Sequence, residues 1–205
     1  MDIAAAEALR DLLFDETAHR YSLNGKWLPG VTHVLERSGL LNYSFLRGES
    51  RERYLRRGRA VHQATHYFDE CDLDEDTVTD EVCGYLEAWR RFRQDYAFTP
   101  TRIEQRVCHP QLGYAGTLDR TGIIRDGGEI ILDIKTGIAP EACRYQLAAY
   151  AACLPHPRMR RRHSVELHAD TSYRVLSYRT SDYLRDFDRF RIALCEFRLL
   201  ERSEQ

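Results

Sequence analysis

The segment Glu129-Ile130-Ile131-Leu132-Asp133-Ile134-Lys135-Thr136 carries an acid and a lysine two residues apart in an otherwise apolar run. In a β-strand alternate side chains share a face. Asp133 and Lys135 then face one way with Ile131, while Ile130, Leu132 and Ile134 face a core. Taken alone, the pattern also fits an ordinary surface strand. The lysine sets it apart: of 30 basic residues, only Lys26 and Lys135 are lysine, and the other 28 are arginine. Lysine shifts its pKa readily and acts as a compact point charge, whereas arginine does not give up its proton.

A second acid sits in the preceding strand, in Gly116-Thr117-Leu118-Asp119-Arg120. A three-residue loop, Asp126-Gly127-Gly128, predicts Asp119 opposite Lys135 and diagonal to Asp133, all on one face. A two-residue loop without a bulge sends Asp119 to the other face. Two carboxylates brought together repel unless something neutralises them. A hard cation such as Mg²⁺ or Mn²⁺ does so, bound by one or two carboxylates, waters and substrate phosphate oxygens. That chemistry is metal-assisted phosphodiester hydrolysis. Asp119, Asp133 and Lys135 are the candidate catalytic residues, with Lys135 orienting or deprotonating water, or stabilising charge in the transition state.

Other groups surround this pair in sequence. Thr136 closes the strand. Gln146 and Tyr150, four apart, share a face of the next helix within reach of the strand end; by default such a pair is core packing of Tyr150 with a solvated Gln146. Glu104, on an earlier strand, is a possible extra carboxylate, although exposed strand glutamates are common. His62 and His66 lie one turn apart on an arginine-rich helix. Alone, a helical histidine is more often packed or solvated than a ligand. Arg51, Arg53, Arg56, Arg57 and Arg59 on that helix form the candidate phosphate-contacting surface, and Arg158 with Arg160 to Arg162 a second; a solvated face is the plain alternative for each.

The elements that must hold these groups follow from periodicity and turn chemistry. Residues 2–13 predict a short helix. Arg20 to Leu28 predicts a hairpin turning at Asn24-Gly25. Thr32 is placed to cap a helix ending at Ser38. Residues 50–69 and 79–95 predict helices, separated by a solvated acidic loop beginning at Asp69. Strands are predicted at Thr101–Cys108, Tyr114–Arg125 and Glu129–Thr136. A helix at Pro140–Leu154, a hairpin from Arg162–Ala169 and Tyr173–Arg179, and a helix over 181–202 complete the chain. This order predicts an α/β fold with a central mixed β-sheet flanked by helices. A single domain over 1–205 is expected, with a helical part at 1–98, a catalytic sheet core at 99–180 and a closing helix at 181–205.

With 32 acidic and 30 basic residues the net charge is -2, so any nucleic-acid surface must be local. The six cysteines form no C-x-x-C pair, which argues against a zinc ribbon or an iron–sulfur cluster. They read as small buried apolar residues of a cytoplasmic protein. No secretion signal or membrane-length apolar run is seen.

Together the motifs Gly58-x-x-x-His62, Gly116-x-x-Asp119, Asp133-x-Lys135 and Gln146-x-x-x-Tyr150, in that order, resemble the PD-(D/E)XK nuclease superfamily, and in particular its RecB-like and phage-type exonuclease branch. Arg20-Tyr21, Asn24-Gly25 and Pro29-Gly30-Val31-Thr32 look like the lead-in of that branch. The likeness runs from about residue 19 to the closing helix. D-x-K alone is weak; the ordered set of four is fairly specific.

The resemblance implies a restriction-endonuclease-like core and a Mg²⁺- or Mn²⁺-dependent deoxyribonuclease, an exonuclease acting on DNA ends; the alternatives are an endonuclease of the same fold, structure-specific or defensive, and a catalytically silent DNA-binding module. It implies metal held by His62, Asp119, Asp133 and the Ile134 carbonyl, Lys135 as catalytic lysine, and Gln146 and Tyr150 as DNA contacts. Thr136, Arg56, Arg57 and Arg59 join them as substrate contacts, with Glu104 and His66 as further candidates. Leu118 stands where relatives often carry proline before the first acid. No iron–sulfur cysteine set and no helicase motif are present. The partner expected besides DNA is a recombinase or single-strand annealing protein on another chain, in a bacterial host or encoded by a phage.

Overall fold

Two ladders organise the chain. The first is a small antiparallel meander of β1 (Leu12–Asp15), β2 (Arg20–Leu23) and β3 (Lys26–Leu28). Asn24 and Gly25 both have positive φ, 50° and 73°, which gives the tight turn that matches strand twist. The second is a five-stranded sheet of β4 (Thr99–His109), β5 (Tyr114–Ile123), β6 (Glu129–Thr136), β7 (Arg161–Leu167) and β8 (Tyr173–Tyr178), in that spatial order. All its neighbours are antiparallel except β6 and β7, whose parallel pairing needs the crossover made by α4 (Ala142–Ala152). The other helices are α1 (Val31–Arg37), α2 (Arg51–Asp69), α3 (Asp80–Tyr96) and α5 (Tyr183–Ser203). The computed structural model describes residues 11–18, 20–42 and 51–203.

The sheet is covered on both faces. Ile130, Leu132 and Ile134 pack with Val61 of α2 and Leu86, Trp89 and Phe92 of α3. Ile131 and Leu118 pack on the opposite side with α1, α4 and α5. β6 is therefore a central strand, and Asp133 and Thr136 are held inside the protein, with Lys135 partly buried, rather than on a solvated face. A third cluster joins Leu12, Tyr21 and Leu28 of the meander to Cys108 and Ala115 of the main sheet.

Several expectations need correction. Leu12 and Leu13, the end of a predicted helix, begin a strand that runs to Asp15; residues 2–10 of that predicted helix lie outside the described residues. The cap of α1 is Gly30, with no side-chain bond from Thr32. Of the cysteines, Cys71, Cys83 and Cys195 are exposed, and Cys108 and Cys143 are buried. Among the described residues no helix is long and apolar enough to cross a membrane.

Candidate active site

β5 and β6 are paired from Ile123 with Glu129 to Arg120 with Leu132, and no further. Beyond that point β5 stays with β4 as far as Tyr114 with His109. β6 stays with β7 as far as Thr136 with Leu167. The sheet forks at Asp119 and Asp133, and backbone groups inside the fork need partners other than a neighbouring strand. The N–H of Ile134 donates to Asp119 Oδ2 at 2.7 Å. Its carbonyl accepts from His62 Nε2 at 3.0 Å.

The loop before the fork differs from the expected one. The N–H of Ile124 donates to the carbonyl of Gly128 at 3.2 Å, which leaves Arg125, Asp126 and Gly127 as the three loop residues. Gly127 holds φ at 76°, open to glycine at no steric cost. The loop length was right, but the register is displaced by two. Continued past its last pair, it brings Asp119 level with Asp133 rather than with Lys135.

β5 also loses its alternation at this point. Leu118 packs beneath α4, yet Arg120 points to the other side, towards Trp89 of α3. On the facing strand Glu104 has φ 48°, a left-handed conformation that costs a non-glycine residue energy and clusters at functional sites. These departures turn the carboxylates of Glu104 and Asp119 into the fork.

There they meet His62. Its Nδ1 lies 3.8 Å from Glu104 Oε1 and 3.8 Å from Asp119 Oδ2. One ligand atom from each of the three residues lies within 4.8 Å of the others, a grouping that could hold a metal ion. Asp133 is not part of this trio; Glu104, only a possible extra carboxylate by sequence, takes the place predicted for it. Asp133 instead has Lys135 Nζ at 2.8 Å from both oxygens, with the hydrogen bond going to Oδ1. Its Oδ2 is buried without an aligned hydrogen bond. The Ile134 carbonyl, predicted as a metal ligand, is engaged by His62, with one lone pair remaining.

Burial and crowding set the charges. Burial, aided by the Asp133 and Glu104 carboxylates, pushes the Asp119 carboxyl up to about 6 against the opposing pull of His62 and Lys135. Burial opposes a charged His62, but Asp119 and Glu104 outweigh it and raise its pKa. Burial alone would raise Glu104, yet His62 and Arg120 hold it below the usual value. Lys135 is held well above the ordinary ammonium value, because Asp133 and other nearby groups overcome its desolvation. It is therefore a fixed ammonium rather than a proton acceptor in this state, which favours the point-charge role among those predicted.

Sequence reasoning missed the support of the trio. Arg120 is fully buried. It donates to Asp69 Oδ2 at 2.7 Å, to Glu104 Oε1 at 3.2 Å, to the Asp119 carbonyl at 2.7 Å and to Thr65 Oγ1 at 3.3 Å. Asp69 also accepts from Trp89 Nε1 and Arg93. It was assigned to a solvated acidic loop, whereas it ends α2 with a side chain 0% exposed. The available signal was an arginine directly after Asp119 inside an apolar strand, which must find a buried acid. Tyr54 was missed as well: it lines the cleft over the fork together with Thr136.

A cleft of about 610 Å³ opens over the fork, lined by Arg59, His62, His66, Lys135, Thr136 and Gln146 among others. Gln146 is buried rather than solvated and donates to Tyr150 Oη at 3.1 Å. Tyr150 lies in the core, outside the cleft lining. It packs so closely on Gly116 that a Cβ there would meet Tyr150 Cε1 at 2.5 Å. His66 is held by Glu70 at 3.1 Å, apart from the trio. Arg59 faces the cleft and Arg56 is exposed, but Arg57 lies against the rings of Tyr54 and Tyr85. Three of the four arginines of the second cluster are engaged within the fold: Arg162 is buried on Asp186, Arg161 pairs with Asp126 and Arg160 with Glu129, while Arg158 is exposed. No protein-family model matches the chain, and no curated protein matches it.

Proposed function

We propose that this chain is a divalent-cation-dependent deoxyribonuclease with a restriction-endonuclease-like core, of the RecB-like and phage-type branch of the PD-(D/E)XK superfamily. On this reading it is a cytoplasmic enzyme, of bacterial or phage origin, that hydrolyses phosphodiester bonds at DNA ends, alongside a recombinase or single-strand annealing partner. One observation carries the reading: His62, Glu104 and Asp119 converge within 4.8 Å at the fork of β5 and β6, and Lys135 stands 2.8 Å from Asp133 beside them.

The donor set suits a hard cation. It has carboxylate oxygens and one imidazole nitrogen and no thiolate, the pattern for Mg²⁺ or Mn²⁺ rather than a structural zinc. Asp133 Oδ2, buried and without an aligned hydrogen bond, lies 2.8 Å from Lys135 Nζ and is a further carboxylate oxygen next to this site. Bound there, such an ion would lower the pKa of a water and offset charge on the phosphate. The protein's own groups do the rest. With Nε2 donating to the Ile134 carbonyl, Nδ1 is the nitrogen that the neutral ring would turn to the ion. The Lys135 ammonium, anchored by Asp133, faces the charge that grows on the phosphate. Thr136 and Gln146 line the same cleft and offer hydrogen-bonding groups to the strand.

The test is digestion of linear DNA labelled at the 5′ or 3′ end, beside closed circular DNA, in Mg²⁺, Mn²⁺ or EDTA. Linear DNA is degraded with either metal and not in EDTA, and circles survive. Asp133→Ala and Lys135→Ala each lower the rate at least about 100-fold with the circular dichroism spectrum unchanged. Activity unaffected by both substitutions sinks the reading; cleavage of circles replaces the exonuclease with an endonuclease.

A further inference from the structure

The cleft over the fork is poorly suited to a duplex. Its walls carry Leu41, Tyr54, Leu55, Tyr67 and Pro140, and among the described residues Arg59 is the one guanidinium that lines it. Duplex DNA is held through a row of phosphate contacts from basic side chains. Most other arginines of α2 are turned elsewhere: Arg51 and Arg53 lie 3.9 Å from Glu36 and 3.5 Å from Glu81, and Arg57 sits against two tyrosine rings.

Exposed aromatic walls are what unstacked bases require, and a single strand carries a lower charge density than a duplex. Each base presents a π-face that stacks on an aromatic side chain, and in a duplex that face is covered by the next base pair. Tyr67 is placed for this. Its ring is 38% exposed at the cleft and stands edge-on to His66 at 5.7 Å, which Glu70 holds in turn. It follows His62 by five residues, about 7.5 Å along the helix axis.

We infer that the cleft takes a single unpaired DNA strand, with one base stacked on Tyr67 and the neighbouring phosphate over His62, Glu104 and Asp119. This rests on the nuclease reading and specifies the form of its substrate.

Fluorescence anisotropy with the full chain in Ca²⁺, at fixed salt, tests it with a labelled oligothymidylate and a hairpin duplex of equal length. The single strand binds at least about tenfold more tightly than the hairpin. Tyr67→Ala weakens single-strand binding by about 5- to 150-fold, Tyr67→Trp retains it, and hairpin binding is unmoved by either. Thermal melts establish that both variants fold. Equal affinity for the two forms, or wild-type affinity in Tyr67→Ala, overturns the inference and leaves the nuclease reading standing if Mn²⁺-dependent cleavage persists. Neither binding nor cleavage of either form overturns both.

Discussion

His62 Nε2 and the carbonyl oxygen of Ile134 are joined by a 3.0 Å hydrogen bond. A carbonyl can only accept, so Nε2 carries a proton, and in the neutral ring Nδ1, 3.8 Å from Glu104 and from Asp119, is the nitrogen with the lone pair. The backbone of a central strand thus fixes the tautomer of a histidine on α2. Metal-binding histidines are commonly oriented this way, through a bond from the other ring nitrogen. The bond forms because β5 has left β6 at this point, so the backbone of Ile134 needs partners from side chains.

If the trio binds a cation, that cation stabilises the fold by mass action. At 100 times the dissociation constant, Mn²⁺ should add about 2.7 kcal/mol, roughly 5–10 °C in Tm for a chain of this size. His62→Ala and Glu104→Gln should each cut the shift by more than about half. Differential scanning fluorimetry against Mn²⁺ concentration measures it. A full shift in Glu104→Gln would remove Glu104 from the site.

Without metal, the site should make stability fall as pH rises. Asp119 titrates near 6 when folded, against 3.8 when unfolded, so between those values the folded state holds the extra proton and loses stability as pH increases. His62, raised by its acidic neighbours, acts in the same direction: its contribution is present below the unfolded value and is lost through the higher folded one. In EDTA at pH 7, Asp119→Asn should therefore be more stable than wild type, by up to about 3 kcal/mol. Its Mn²⁺ shift should vanish. Urea unfolding at pH 4, 5, 6 and 7 tests the sign, and an unchanged pH slope in the variant refutes it.

Asp69 and Arg120 are both 0% exposed and 2.7 Å apart. Asp69→Ala leaves a buried guanidinium with Glu104 as its remaining acid and should cost about 3–5 kcal/mol. Asp69→Ala with Arg120→Met should recover part of that loss, because no unpaired charge remains. Chemical denaturation of the two variants gives the comparison. The double variant should still bind Mn²⁺ more weakly than wild type, since Glu104 is no longer held.

The two motif glycines should respond in opposite ways. A Cβ on Gly116 meets Tyr150 Cε1 at 2.5 Å, whereas one on Gly58 meets only Thr136 Oγ1 at 3.7 Å. Gly116→Ala should destabilise by about 1–3 kcal/mol. Gly58→Ala, inside α2, should stabilise by about 0.5–1 kcal/mol through helix propensity. Thermal melts of the two single variants decide it. Loss of stability in Gly58→Ala would mean that α2 sits closer to β6 than the geometry allows.

Local pattern settled much of this protein in advance. The Glu129–Thr136 strand, the Asn24-Gly25 turn and the approximate bounds of the later helices follow from periodicity and turn chemistry, which depend only on neighbours in the chain. Asp133 and Lys135, two apart on one strand, meet for the same reason. Tertiary structure decided which charges neutralise one another. Arg120 finds Asp69 across 51 residues and Thr65 across 55, and His62 finds Ile134 across 72; no window of sequence contains these pairs. The displaced register and the left-handed Glu104 put that residue, rather than Asp133, beside His62 and Asp119. Tyr150 joined the core because Gly116 left room for its ring. Side-chain alternation records which residues share a face, but a buried charge takes whichever partner packing brings within reach, and that is a property of the whole fold.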